Sequence, residues 1–253
     1  MPYVQNAPLY AGRFAHRAYG IVSSLMESDD MLKLVARWIA LGALFLIPFT
    51  PLLVANSFFF PFITGKAFFF RIVVEIAVVA WVVLAALDRE YRPRVSAIGI
   101  AVIGFVVWML IADASAMNAT KAFWSNFERM EGWVLLAHLF GFFFAAAAVL
   151  RVEKKWRAWF LTSLGVSVII CAHALLQLGG SADIHQGSTR IDASMGNSAY
   201  LAIYFLFNVF IALWLALTEK SSWLKWSLIV LAVLEGVLIF FTETRGTVIG
   251  LVA

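Results

Sequence analysis

Residues 187–217 read GSTRIDASMGNSAYLAIYFLFNVFIALWLAL, a polar connection that gives way to a run with no charged side chain. The run, positions 198–217, is about 20 residues long and as a helix crosses a hydrocarbon core of roughly 30 Å. Comparable runs recur along the 253-residue chain, which is 63% hydrophobic and 13% charged, with a mean hydropathy of +0.90. A soluble domain of this length has no use for so much apolar surface. Strands of a membrane barrel would alternate apolar and polar over roughly ten residues, and no such segments occur. The pattern specifies an all-α polytopic membrane protein. Cys171, the single cysteine, lies inside an apolar run and supports neither a disulfide framework nor a cysteine zinc site.

Working outward from that run, the spans fall at 32–55, 67–87, 95–113, 132–150, 158–178, 198–217 and 226–241, with another beginning near 247. This makes about seven full transmembrane helices plus the start of an eighth. Residues 1–31, with Arg13, His16 and Arg17, form a polar N-terminal segment, either a surface helix or a loose tail. It lacks the apolar core of a cleaved signal peptide, so the first span is expected to act as the signal. Residues 32–253 form one membrane domain. It stops shortly after its last apolar run begins, as expected of a C-terminally truncated fragment.

Orientation follows from Lys and Arg. One set of connections carries Arg13, Arg17, Lys33 and Arg37, then Arg89, Arg92 and Arg94, then Arg151, Lys154, Lys155 and Arg157, then Lys220 and Lys225. The alternate set carries only Lys66, Lys121, Arg129, Arg190 and Arg245. The excess predicts a cytoplasmic N-terminus. Lys66, Arg129, Arg190 and Arg245 then stand just before helices that start at the external face. A helix start carries about half a positive charge, so a cation there is repelled unless an anion lies between. Helix N–H groups and guanidinium forks both suit phosphate oxygens. The alternative is that these cations snorkel to headgroups or pair with Glu128, Glu131, Asp192 and Glu243.

Other polar residues fit the same frame. Arg71 and Glu75, four apart in the second span, form either a self-neutralising pair or a support for an external cavity. Phe123, Trp124, Phe127 and Met130 fall at helical spacing, predicting a short interfacial helix. Asn197 or Ser198 is a natural N-cap for the helix that follows, and Gly196 would allow a phosphate close to the backbone beside Arg190. Glu243 is the expected partner of Arg245 without ligand. Glu235 reads as a carboxyl neutralised or buried against another helix, and His138 and His173 as packed, hydrogen-bonded residues. No metal-ligand spacing, nucleotide-binding loop or internal repeat is present, so no metal, cofactor or nucleic-acid partner is expected.

Four pieces together resemble the bacterial O-antigen ligase and O-antigen polymerase superfamily. They are FFFPFITGKAFFFRIVVE (58–75), FWSNFERMEG (123–132), RIDASMGNSAYL (190–201) and TETRGTVIG (242–250). The resemblance implies an inverting, metal-independent glycosyltransferase in the bacterial inner (cytoplasmic) membrane. Its donor would be an undecaprenyl-diphosphate-linked glycan. Its acceptor would be a hydroxyl of lipid A core, a growing glycan or a protein on the periplasmic face. It further implies that Arg190 and Arg245 hold the diphosphate, with Lys66, Arg71, Glu75, Arg129, Asn197 and Glu243 as possible supports. The family's general base, a histidine in a late external loop, would lie beyond Ala253, leaving the fragment alone inactive. The same arginines would also suit a transporter or flippase of lipid-linked glycan, or a non-enzymatic assembly subunit bound to anionic membrane lipid.

Overall fold

The computed structural model describes residues 28–94, 96–126, 129–185 and 189–252. Arg13, His16, Arg17, Phe127 and Glu128 lie outside the described residues. Among those described, every regular element is helical. Helix α1 spans Ser28–Leu52. Its last turns tighten to a 3-10 helix, Ile47–Leu52, where Pro48 and Pro51 cannot donate to an α ladder. Then come α2 (Thr64–Leu87), α3 (Ala97–Ala114), the short α4 (Ala119–Trp124) and α5 (Trp133–Val149). They are followed by α6 (Glu153–Leu178), α7 (Ser198–Thr218), α8 (Ser222–Phe241) and α9 (Arg245–Val252).

Six helices, α1, α2, α3, α6, α7 and α8, are long and apolar enough to cross a membrane; α5 is apolar but shorter. The chain is thus a helical protein of multi-pass membrane character. Helix α6 starts earlier than the apolar pattern suggests. Lys155, in its first turn, donates to the Val149 carbonyl at 2.9 Å and so closes the end of α5. The interfacial helix expected through Met130 is cut short instead. Ser125 and Met130 take positive φ values of 61° and 50°, which end α4 and turn the chain toward α5.

Two apolar clusters organise the bundle. The first joins α1, α2 and the end of α5 around Leu44, Val74, Leu84 and Val149. The second joins α6, α7 and α8 around Ile170, Phe205, Leu215 and Leu238, and also encloses Ile191 and Ala193 from the α6–α7 connection. Helix α6 touches both. Trp156 and Trp159 pack on the first cluster, while Leu164, Ile170 and Ala174 sit in the second. The Trp159 indole donates to the Leu44 carbonyl at 2.9 Å, tying α6 to α1. Buried Ala202, Ala212, Ala216 and Ala232 give α7 and α8 small side chains that let their backbones approach. Between these two helices Glu219 is gripped by Arg157 of α6 and accepts from the Ser221 N–H at 2.9 Å.

Candidate functional site

At one end of the bundle, where α2, α5, α7 and α9 begin, four connections are sewn together by polar side chains. The seam is the segment 189–197. Asp192, fully buried, is its anchor. Its carboxylate accepts from Gln177 Nε2 (2.8 Å), His185 Nδ1 (3.2 Å) and the His185 backbone N–H (3.0 Å). Gln177, near the end of α6, answers by accepting from the Asp192 and Ala193 backbone N–H groups at 3.0 and 2.8 Å. A buried carboxylate needs such donors to offset the loss of water. The contact with Asp192 requires a proton on Nδ1 of His185 and so fixes the orientation of the ring.

Arg190 extends from this anchored segment to the α8–α9 turn. Its Nε donates to the Thr242 carbonyl at 2.8 Å and Nη2 to Thr244 Oγ1 at 3.3 Å. The Ile191 N–H reaches the Phe241 carbonyl at 3.4 Å, so backbone and side chain dock together. Lys66 approaches from α2, donating to the Ser194 carbonyl at 2.6 Å with its ammonium 5.7 Å from the Phe62 ring centroid. Ser194 Oγ in turn donates to the Pro51 carbonyl at 2.8 Å, bringing in the end of α1.

Several sequence expectations are corrected here. Arg71 does not pair with Glu75. It is 6% exposed, and Nη2 donates to the carbonyls of Arg129 and Met130, both at 2.9 Å. Glu75 instead meets His138 Nε2 of α5 at 3.0 Å. Since His138 Nδ1 lies 2.7 Å from the Val134 carbonyl and donates to it, the Nε2–Oε1 contact needs one more proton, on either atom. Helix geometry places residues four apart on one face, but carbonyls from a loop 58 and 59 positions away match a guanidinium better.

Asn197 caps α7 as expected, but its Oδ1 takes the Ala199 and Tyr200 N–H groups at 2.9 and 3.3 Å. Those donors are therefore not offered to a phosphate. Gly196 likewise serves the fold: its φ is +63°, and a Cβ there would overlap the Phe62 ring. Phe62 also packs against His185, ring centroids 4.5 Å apart. Glu243 makes no ion pair with Arg245 among the described residues; its own φ of 52° shapes the turn.

The cap thus brings Lys66 and Arg190 onto one segment, with Arg245 one residue beyond Thr244 as the exposed first residue of α9. Arg129 joins through its guanidinium, 5.2 Å from the Phe60 ring centroid. Glu75 stands apart. Gln177, Ser194, Thr242, Thr244 and Phe62 belong to the site, though sequence reasoning gave them no role. A lone glutamine near the end of an apolar run is the only trace of this in the sequence, and it does not reveal the partner. No group of three His, Cys, Asp or Glu among the described residues is placed to hold a metal ion.

Fold and cap together define a polytopic helical membrane protein with basic side chains gathered at one end of the bundle. No protein-family model, curated protein or solved structure matches the chain.

Proposed function

We propose that the chain belongs to a membrane glycosyltransferase of the O-antigen ligase or polymerase type. It would move a glycan from an undecaprenyl-diphosphate carrier to an acceptor hydroxyl on the periplasmic face of a bacterial inner membrane. The observation that carries this reading is the attachment of Arg190 to the Thr242–Thr244 turn, whose next residue is Arg245. Two arginines from distant parts of the sequence are held on neighbouring backbone, one half-buried and fixed, the other exposed. In the reaction the acceptor oxygen attacks the anomeric carbon and the bond to the diphosphate oxygen breaks. The diphosphate leaves with the electron pair, and the hydroxyl proton passes to a base. Guanidinium groups aimed at the departing diphosphate stabilise the charge that develops there.

The test is glycan transfer by the full-length protein in membranes. Arg190→Lys and Arg245→Lys keep the charge but lose the planar fork. Transfer should fall by about 10-fold or more in each, with membrane insertion unchanged; wild-type transfer by both would reject the reading.

One observation favours a second reading, movement of the same lipid-linked glycan across the membrane. Glu235 of α8 is fully buried, and neither carboxyl oxygen has a hydrogen-bond partner among the described residues. An ionisable group in a membrane helix is a natural coupling site. Loss of carrier-lipid movement in Glu235→Gln liposomes, with glycan transfer intact, would favour transport.

A further inference from the structure

The end of the bundle opposite Arg190 holds a cavity of about 280 Å³ between the α2–α3 and α5–α6 connections. Arg92, Arg94 and Arg151 line it, above a floor of Phe143, Phe144 and Ala148. We infer that this cavity binds the phosphate headgroup of an anionic phospholipid.

The charge in the cavity is incompletely answered by the protein. Arg151 is largely buried, its side chain 16% exposed, and its Nη1 is enclosed without a hydrogen-bond partner among the described residues. The nearest carboxylate, Glu90, is 3.8 Å from that nitrogen and 70% exposed, too far for a hydrogen bond and well screened by water. Among the described residues Arg92 bonds through Nε alone, donating to the Ala85 carbonyl at 3.1 Å. Arg94 is exposed and makes no hydrogen bond or ion pair with a described residue. Ser96 and Gly99, which also line the cavity, belong to the start of α3, whose dipole adds positive potential.

Arginines that served only to orient the helices could stand anywhere in their connections. Here two connections far apart in sequence bring three arginines to the lining of one cavity. The apolar floor selects between phosphate sources. A free phosphate gains nothing from Phe143 and Phe144, whereas a glycerophospholipid buries its backbone there. Its acyl chains would then run along the exposed Ile100 and Ile103 of α3, on the helix face that continues from Ser96 and Gly99. Basic pockets between membrane helices bind anionic headgroups in this way.

The experiment is a thermal-shift and native mass-spectrometry titration of the purified full-length protein in neutral detergent. The probes are phosphatidylglycerol, phosphatidylcholine and inorganic phosphate. Phosphatidylglycerol should raise Tm and be retained on the protein, while phosphatidylcholine and inorganic phosphate do neither. Arg94→Gln combined with Arg151→Gln should weaken phosphatidylglycerol binding by about 10-fold or more. Arg89→Gln, the same loss of charge outside the cavity, should leave it unchanged. If the double variant does not fold, Arg94→Gln alone, at an exposed position, carries the same comparison. Equal binding by the cavity variant and the Arg89 control would overturn the inference. So would saturation by inorganic phosphate without preference for the anionic lipid.

Discussion

Arg190 and Thr242 are 52 residues apart in sequence, yet Arg190 Nε donates to the Thr242 carbonyl at 2.8 Å. This bond fastens the α6–α7 connection to the turn that starts α9, and brings the Arg245 position beside the Arg190 segment. If the bond is structural as well as functional, replacing Arg190 should loosen the turn. Arg190→Ala should lower Tm in detergent by several degrees, since one charge-assisted hydrogen bond is worth about 1.5–3 kcal/mol. An unchanged Tm would show that the turn holds itself.

Asp192 should matter to stability more than any exposed charge of the cap. Asp192→Ala removes the acceptor of one buried Gln177 N–H, the amide keeping only its 2.7 Å bond to the Asp183 carbonyl. A donor left buried without a partner costs about 1–3 kcal/mol, while the exposed His185 donors can turn to water. Asp192→Asn, which keeps one acceptor oxygen, should cost less. Thermal unfolding of the two variants checks the order; equal losses would contradict it and mean that a neutral acceptor oxygen cannot replace the carboxylate.

Gly196→Ala should be poorly tolerated, because the position has φ of +63° and the Phe62 ring fills the space of a Cβ. Strain at such a position costs of order 1–3 kcal/mol before any overlap is counted. Gly104→Ala in α3, where a Cβ meets nothing, should be neutral or mildly stabilising. Comparing expression and Tm of the pair separates strain from a general effect of losing glycine. Equal behaviour would contradict this account of the turn.

At the opposite end, the Ser221 N–H above all holds the Glu219 carboxyl below the usual carboxylate range; loss of water opposes it, and the Arg157 guanidinium and the Lys220 N–H add to the lowering. A depressed folded value means that this contact stabilises fully above the ordinary carboxylate range. The contribution is lost as pH falls through the folded value. Tm of wild type and Glu219→Gln should therefore differ at neutral pH and converge in acid. A gap that widens in acid would contradict the assignment.

The helices were legible because charge-free runs such as 198–217 state their environment outright. The cap was only partly legible. Arg190 stood out as a cation ahead of a helix start, and Asn197 as a capping residue. The partners of Arg71 were not readable, since helical spacing sees Glu75 but not backbone carbonyls delivered by a loop near Met130. Gly196 looked like an opening for phosphate because a sequence shows missing side chains but not the Phe62 ring that fills the space. Gln177 was invisible for the opposite reason. A single amide near the end of an apolar run acquires its meaning only when the chain folds back and presents Asp192.

The central claim is that Arg190 and Arg245 grip a lipid-linked diphosphate. It is tested most directly by titrating the purified full-length protein with undecaprenyl diphosphate and undecaprenyl monophosphate. The account predicts preference for the diphosphate, lost by about 10-fold or more in Arg190→Lys and in Arg245→Lys. Equal affinity for both lipids, or wild-type affinity in both variants, would contradict it.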